Sequence, residues 1–187
     1  MYCLRLVAWS GPDLGLNLRV MDVSGAEATV RDFLRAGHHE IGGAISPDGE
    51  WVAYRSDESG EFAIYVRRLA DAADPTEIAG GDDPRWPVWG PQGTQLYYMT
   101  ITEDGADLMR VPVTSTPAGF TAGQPDRILT LPFSQSRASF GGRNWDLSPD
   151  GRSLIVVVEP RREGPPRPAV RAELVVNWFQ ELRNLGG

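Results

Sequence analysis

The chain has no lysine, one cysteine and two histidines among its 187 residues. One cysteine excludes a disulfide scaffold within the chain and any zinc site built from several thiolates. Without lysine, arginine is the only strong cation. The 18 basic residues face 25 acidic ones, and the net charge is −7. That balance argues against a nucleic-acid binder, which needs a basic face. No apolar run approaches the roughly 18 residues that a membrane-spanning helix requires. Residues 1–10 are apolar but short and lack a charged leader region, so they read as a strand and not as a signal peptide.

Turn formers are plentiful. There are 21 glycines and 15 prolines, a load that suits short strands joined by tight turns. Hydrophobic residues make up 41 % of the chain, enough to bury a core. The aromatic residues are spread along the chain, which excludes disorder as its general state.

The turns repeat. Ser46-Pro47-Asp48-Gly49 and Gly90-Pro91-Gln92-Gly93 lie 44 residues apart, and Ser148-Pro149-Asp150-Gly151 follows after 58 more. Proline second and glycine fourth predict a type I turn that ends in a left-handed residue, as in a hairpin. One large apolar residue precedes each turn: Ile45, Trp89 and Leu147. A buried strand follows each: Val52-Ala53-Tyr54, Leu96-Tyr97-Tyr98 and Leu154-Ile155-Val156. After a polar glycine loop, third strands come at Ile64-Tyr65-Val66 and Leu108-Met109-Arg110-Val111, and short fourth strands at Glu77-Ile78-Ala79 and Arg127-Ile128-Leu129. Residues 1–36 fit the same template without its first strand. The last unit has a stretched Pro/Arg loop over 159–168 and a third strand at Glu173-Leu174-Val175-Val176.

Four short strands at a period near 44 predict an all-β chain of about four antiparallel β-propeller blades, the first and last incomplete. The boundaries are approximately 1–36, 37–81, 82–135 and 136–177. Trp178, Phe179, Leu182 and Leu185 recur at helical spacing and predict a short helix over 178–185. A β-sandwich with fortuitously spaced turns is the competing reading, and agreement at several landmarks favours blades.

The stretch Ile45-Ser46-Pro47-Asp48-Gly49-Glu50-Trp51-Val52-Ala53-Tyr54-Arg55-Ser56, followed by Ile64-Tyr65-Val66, resembles the repeat of TolB-like propellers. The third unit departs from it, with Gly90 for serine and Gln92 for aspartate. The resemblance implies a ring that binds proteins or peptides, in a periplasmic or extracytoplasmic setting. The C-terminal stretch 174–182 is similar to the ends of bacterial multidomain proteins with a kinase or DNA-binding domain upstream. The expected function is therefore a non-catalytic protein- or peptide-binding module, the C-terminal portion of a larger propeller. The alternative is a regulatory or gating segment of a serine/threonine kinase or a prolyl oligopeptidase-type peptidase. Open blade ends would also offer a surface for self-association.

Chemistry is sparse. His38-His39-Glu40 is the one histidine cluster, and no metal-ligand spacing accompanies it, so solvated loop residues are expected. No Gly-x-Ser-x-Gly elbow supports a Ser/His/Asp triad. The glycine pairs 42–43, 80–81 and 141–142 match no phosphate-binding fingerprint and read as tight entries into blades. The Asp-rich tips around 57 and 104–107 lack a calcium-loop pattern. No metal, cofactor or catalytic residue is expected. The linkers before each first strand carry the candidate partner-binding rim: His38, His39, Arg85, Trp86, Arg143 and Asn144. Arginine and tryptophan there suit a peptide or a carboxylate. The competing expectation is that Arg85 and Arg143 pair with acids of neighbouring blades.

Overall fold

The computed structural model describes residues 4–10, 16–34, 37–71, 74–102, 105–116, 119–131, 143 and 145–156, with 4–10 as backbone only. The expected strand at 173–176, the Pro/Arg loop, the helix over 178–185 and Asn144 lie outside the described residues.

Among the described residues the chain is all strand and turn. The first antiparallel sheet joins β1 (Leu4–Ser10), β2 (Leu16–Asp22) and β3 (Thr29–Asp32) in chain order. The second joins β4 (Glu40–Ile45), β5 (Trp51–Ser56), β6 (Ala63–Arg68) and β7 (Thr76–Ala79). The third runs β8 (Pro84–Trp89), β9 (Gln95–Thr102) and β10 (Gly105–Thr116), with β11 (Gly119–Ala122) and β12 (Asp126–Leu131) both on the far edge of β10. A hairpin of β13 (Trp145–Leu147) and β14 (Leu154–Val156) follows.

Strand period explains the packing, because alternate side chains leave a strand on opposite faces. On β5, Val52 and Tyr54 pack with Leu18, Val20 and Phe33 of the first sheet. Trp51 and Ala53, one residue out of phase, pack with Trp89, Leu96 and Tyr98 of the third. On β9, Leu96 and Tyr98 face the second sheet, while Tyr97 and Met99 face the β13–β14 hairpin through Trp86 and Trp145. Both faces of the middle strands are buried, so they read as nearly continuous apolar runs. The sheets thus stack face to face, each covering its neighbour's apolar side.

The three turns share one backbone. Gly49 N donates to Ser46 O at 2.9 Å, Gly93 N to Gly90 O at 2.9 Å and Gly151 N to Ser148 O at 2.8 Å. The three glycines have φ of 78°, 72° and 70°, where an L side chain is strained.

The first strands repeat an irregularity. The β4–β5 register shifts between Ile41 and Ala44, and the β8–β9 register between Arg85 and Val88. Gly42 (φ 65°) and Trp86 (φ 52°) occupy the same place 44 residues apart. A glycine takes the left-handed conformation without strain. Trp86 takes it with its indole buried at 6 % exposure, where packing holds it.

The third sheet carries an insertion. Fifteen residues separate the paired Ile64 and Ala79, and twenty-one separate the paired Leu108 and Leu129. The extra length extends β10 and adds β11 as a hairpin beyond β9. Its Phe120 packs on Trp51 at 5.1 Å and on Trp89 at 6.0 Å between ring centroids.

Candidate functional site

The linker into β4 and the loop after β5 meet at one rim. In the second sheet, His39 N donates to Asp57 Oδ1 at 2.8 Å, and His39 Nδ1 lies 2.9 Å from Asp57 Oδ2. Between the second and third sheets, Asp83 is the hub. Arg55 of β5 reaches one of its oxygens, and Arg85 of β8 binds the other, with Nε at 2.8 Å. Burial alone would raise the Asp83 carboxyl, but the Arg85 and Arg55 guanidiniums outweigh it and hold it below the usual range. The Arg55 guanidinium also stacks 3.5 Å above the centre of the Phe62 ring.

These contacts leave a cleft of about 320 Å³ lined by Glu61, Phe62, Gly81, Asp82 and Asp83. Three successive lining residues are left-handed, with φ of 68° at Gly81, 40° at Asp82 and 49° at Asp83, and the two aspartates carry the strain. Aspartate tolerates this region better than most residues. Burial and then the Asp82 charge push the Tyr98 hydroxyl up to about 12. Among the described residues, the side chains of Glu61 and Asp82 carry no ion pair, so the open charge of the cleft is negative.

The sequence-expected rim residues divide. His39 and Arg85 lie on the rim, each engaged by an aspartate. His38 is partly exposed beside them. Trp86 is turned inward among Val88, Met99 and Trp145, so it packs the core and offers no open ring. Arg143 bonds Asp146 at 2.9 Å within its own unit. Among the described residues, neither Arg85 nor Arg143 reaches an acid of a neighbouring sheet, whereas Arg55 does, through Asp83. Glu40, expected as a solvated loop residue, opens β4 and is 2 % exposed, because its strand register turns it inward opposite Ser56. Phe62, Glu61, Asp82 and Asp83 were not among the expected rim residues. A signal for them existed in the glycine loop before the third strand and the linker before the next sheet, the two segments a propeller brings together.

Stacked antiparallel sheets built on a four-strand meander, the third with an added hairpin strand, each completed by its neighbours, define the β-propeller class. Among solved structures, the chain is similar to a putative TolB from Agrobacterium tumefaciens, at 16 % identity and a TM-score of 0.50 over 70 % of this chain and 46 % of that one. It is also similar to TolB from Acinetobacter baumannii, at 18 % identity and a TM-score of 0.47 over 87 % and 47 % of the two chains. A prolyl endopeptidase structure matches at 18 % identity and a TM-score of 0.45, over 76 % of this chain and 23 % of that one. With the stacked sheets, the first of these likenesses gives the fold as that of a TolB-like propeller. The chain spans under half the length of each of the three structures. No family model and no curated protein sequence matches it.

Proposed function

We propose that this chain is a non-catalytic binding module that takes a protein or peptide at the rim between its second and third sheets. The observation that supports this reading is the cleft of about 320 Å³ with Phe62 on its wall. An aromatic wall with polar groups at its edge is a common anchor site for a partner side chain. The favoured anchor is cationic. Arg55 and Arg85 are both committed to Asp83, while Glu61 and Asp82 keep open carboxylates. An arginine or lysine of the partner would place its charge between those carboxylates and its alkyl stem along the cleft.

The test is capture from a lysate of the source organism on immobilised wild-type chain and on a Phe62→Ala/Asp82→Asn variant, with folding of both checked by circular dichroism. The reading expects specific partners on the wild type that the variant loses. Equal capture by both, or none by either, overturns it.

A further inference from the structure

The second sheet holds a buried acid that the binding role does not use. Glu40 is 2 % exposed, and among the described residues no donor reaches its Oε2. It stands at a core position of the repeat: 44 residues on, the same place is held by Pro84, which is fully buried. Its cross-strand partner on β5 is Ser56, also fully buried. Asp57 and Glu58 follow Ser56 directly, and the charges of both act on the Glu40 carboxyl.

The cations around it are engaged elsewhere. From β6, Arg67 binds Glu58 Oε2 at 2.8 Å and the Tyr54 hydroxyl at 2.6 Å. His39, the preceding residue, is tied to Asp57. On β8, behind β4, Arg85 is tied to Asp83. On β2, Arg19 binds Asp32 at 2.6 Å, and Asp22 accepts from Ser24. The charged residue of β1, Arg5, pairs with Met21 next to the Val20–Arg31 rung. Arg31 reaches Leu69 O, at the far end of the second sheet from Glu40.

We propose that Glu40 is a proton-operated latch between the first and second sheets, holding them and the 57–62 loop closed when neutral and loosening them when ionised. Ionisation would put a buried charge beside Asp57 and Glu58 that Arg67 and His39 offset only in part, and the cheapest relief is to open toward water. Because Asp57 and Glu58 lead into the rim loop, the opening reaches the cleft wall at Glu61 and Phe62. The direction of titration agrees. Burial first, then Glu58, then Asp57 push the Glu40 carboxyl from its ordinary 4.5 to about 7, against Arg67 and His39. Its folded value is the higher one, so its contribution is complete below the ordinary value and is lost as pH rises through about 7.

Thermal unfolding of the whole chain, wild type and Glu40→Gln, tests this between about pH 5.5 and about pH 8.5. The wild-type midpoint should fall by about 5 °C more than that of the variant over this range. Parallel curves overturn the proposal. A second measurement needs no variant: wild-type amide exchange over 57–62, corrected for its intrinsic pH dependence, should rise about tenfold between about pH 6 and about pH 8. A flat corrected rate overturns the proposal even where Glu40→Gln does not fold. Neither readout involves a binding partner, so failure of the binding role leaves both intact.

Discussion

Ser46 and Asp48 show what the turn motif does beyond bending the chain. Ser46 Oγ accepts from Trp51 N at 2.9 Å, and Asp48 Oδ1 accepts from Glu50 N at 3.0 Å. Ser148 and Asp150 repeat both bonds with Ser153 N and Arg152 N, at 2.9 and 3.0 Å. The turn with Gly90 and Gln92 keeps the backbone bonds on proline and glycine alone. The glycines have a second task that pattern does not reveal. A Cβ on Gly93 would lie 3.7 Å from Pro47 of the preceding unit, and one on Gly151 would lie 3.1 Å from Pro91. Each turn's proline thus nests against the next turn's glycine. Gly49 has nothing within 4 Å of that position. Gly49→Ala should therefore cost about 1 kcal/mol from the left-handed backbone alone. Gly151→Ala should cost roughly 1 kcal/mol more from crowding against Pro91. Urea unfolding of the two variants checks the order, and equal costs would refute the nesting.

At the scale of elements, the β10–β11 hairpin is the departure from the repeat that matters most. It lays Phe120 over Trp51 of the second sheet and Trp89 of the third, closing the end of their shared core. Trp89 Nε1 also donates to Ala44 O across that interface at 3.0 Å. Phe120→Ala should lower stability by about 2 kcal/mol, less than a fully buried phenylalanine because the ring is only half-buried. Chemical denaturation measures this; an unchanged midpoint would show that the hairpin does not clamp the sheets. The strands themselves were legible. Val52-Ala53-Tyr54 and Leu96-Tyr97-Tyr98 lie within β5 and β9, since residues buried on both faces leave a dense apolar signature. The hairpin was not, because Val113-Thr114-Ser115-Thr116 continues the alternation of its strand without a break.

For the whole molecule, the legible part is whatever repeats, and the candidate site is what does not. Sequence aligns Arg85 with Arg143 and offers both either as rim anchors or as partners of acids in neighbouring blades. In space each is held by a local aspartate, Asp83 at two residues' distance and Asp146 at three. The pairing of Asp83 with Arg55 crosses sheets, and no local spacing encodes it. Glu40 reads as polar and therefore exposed until its register opposite Ser56 is known. Its alignment with Pro84 was the available clue. The acids also pull stability in opposite directions with pH. Asp57 and Asp83 are held below the usual range and contribute stability that is lost as pH falls through it. Glu40 contributes stability that is lost as pH rises.

The proposed role of the rim between the second and third sheets is to bind a cationic anchor. Selection of random peptides on the wild-type chain and on Phe62→Ala/Asp82→Asn tests it most directly. Peptides with arginine or lysine flanked by apolar residues should be enriched on the wild type, and the double substitution should abolish the enrichment. Enrichment of acidic peptides, or of the same peptides on both proteins, would contradict it.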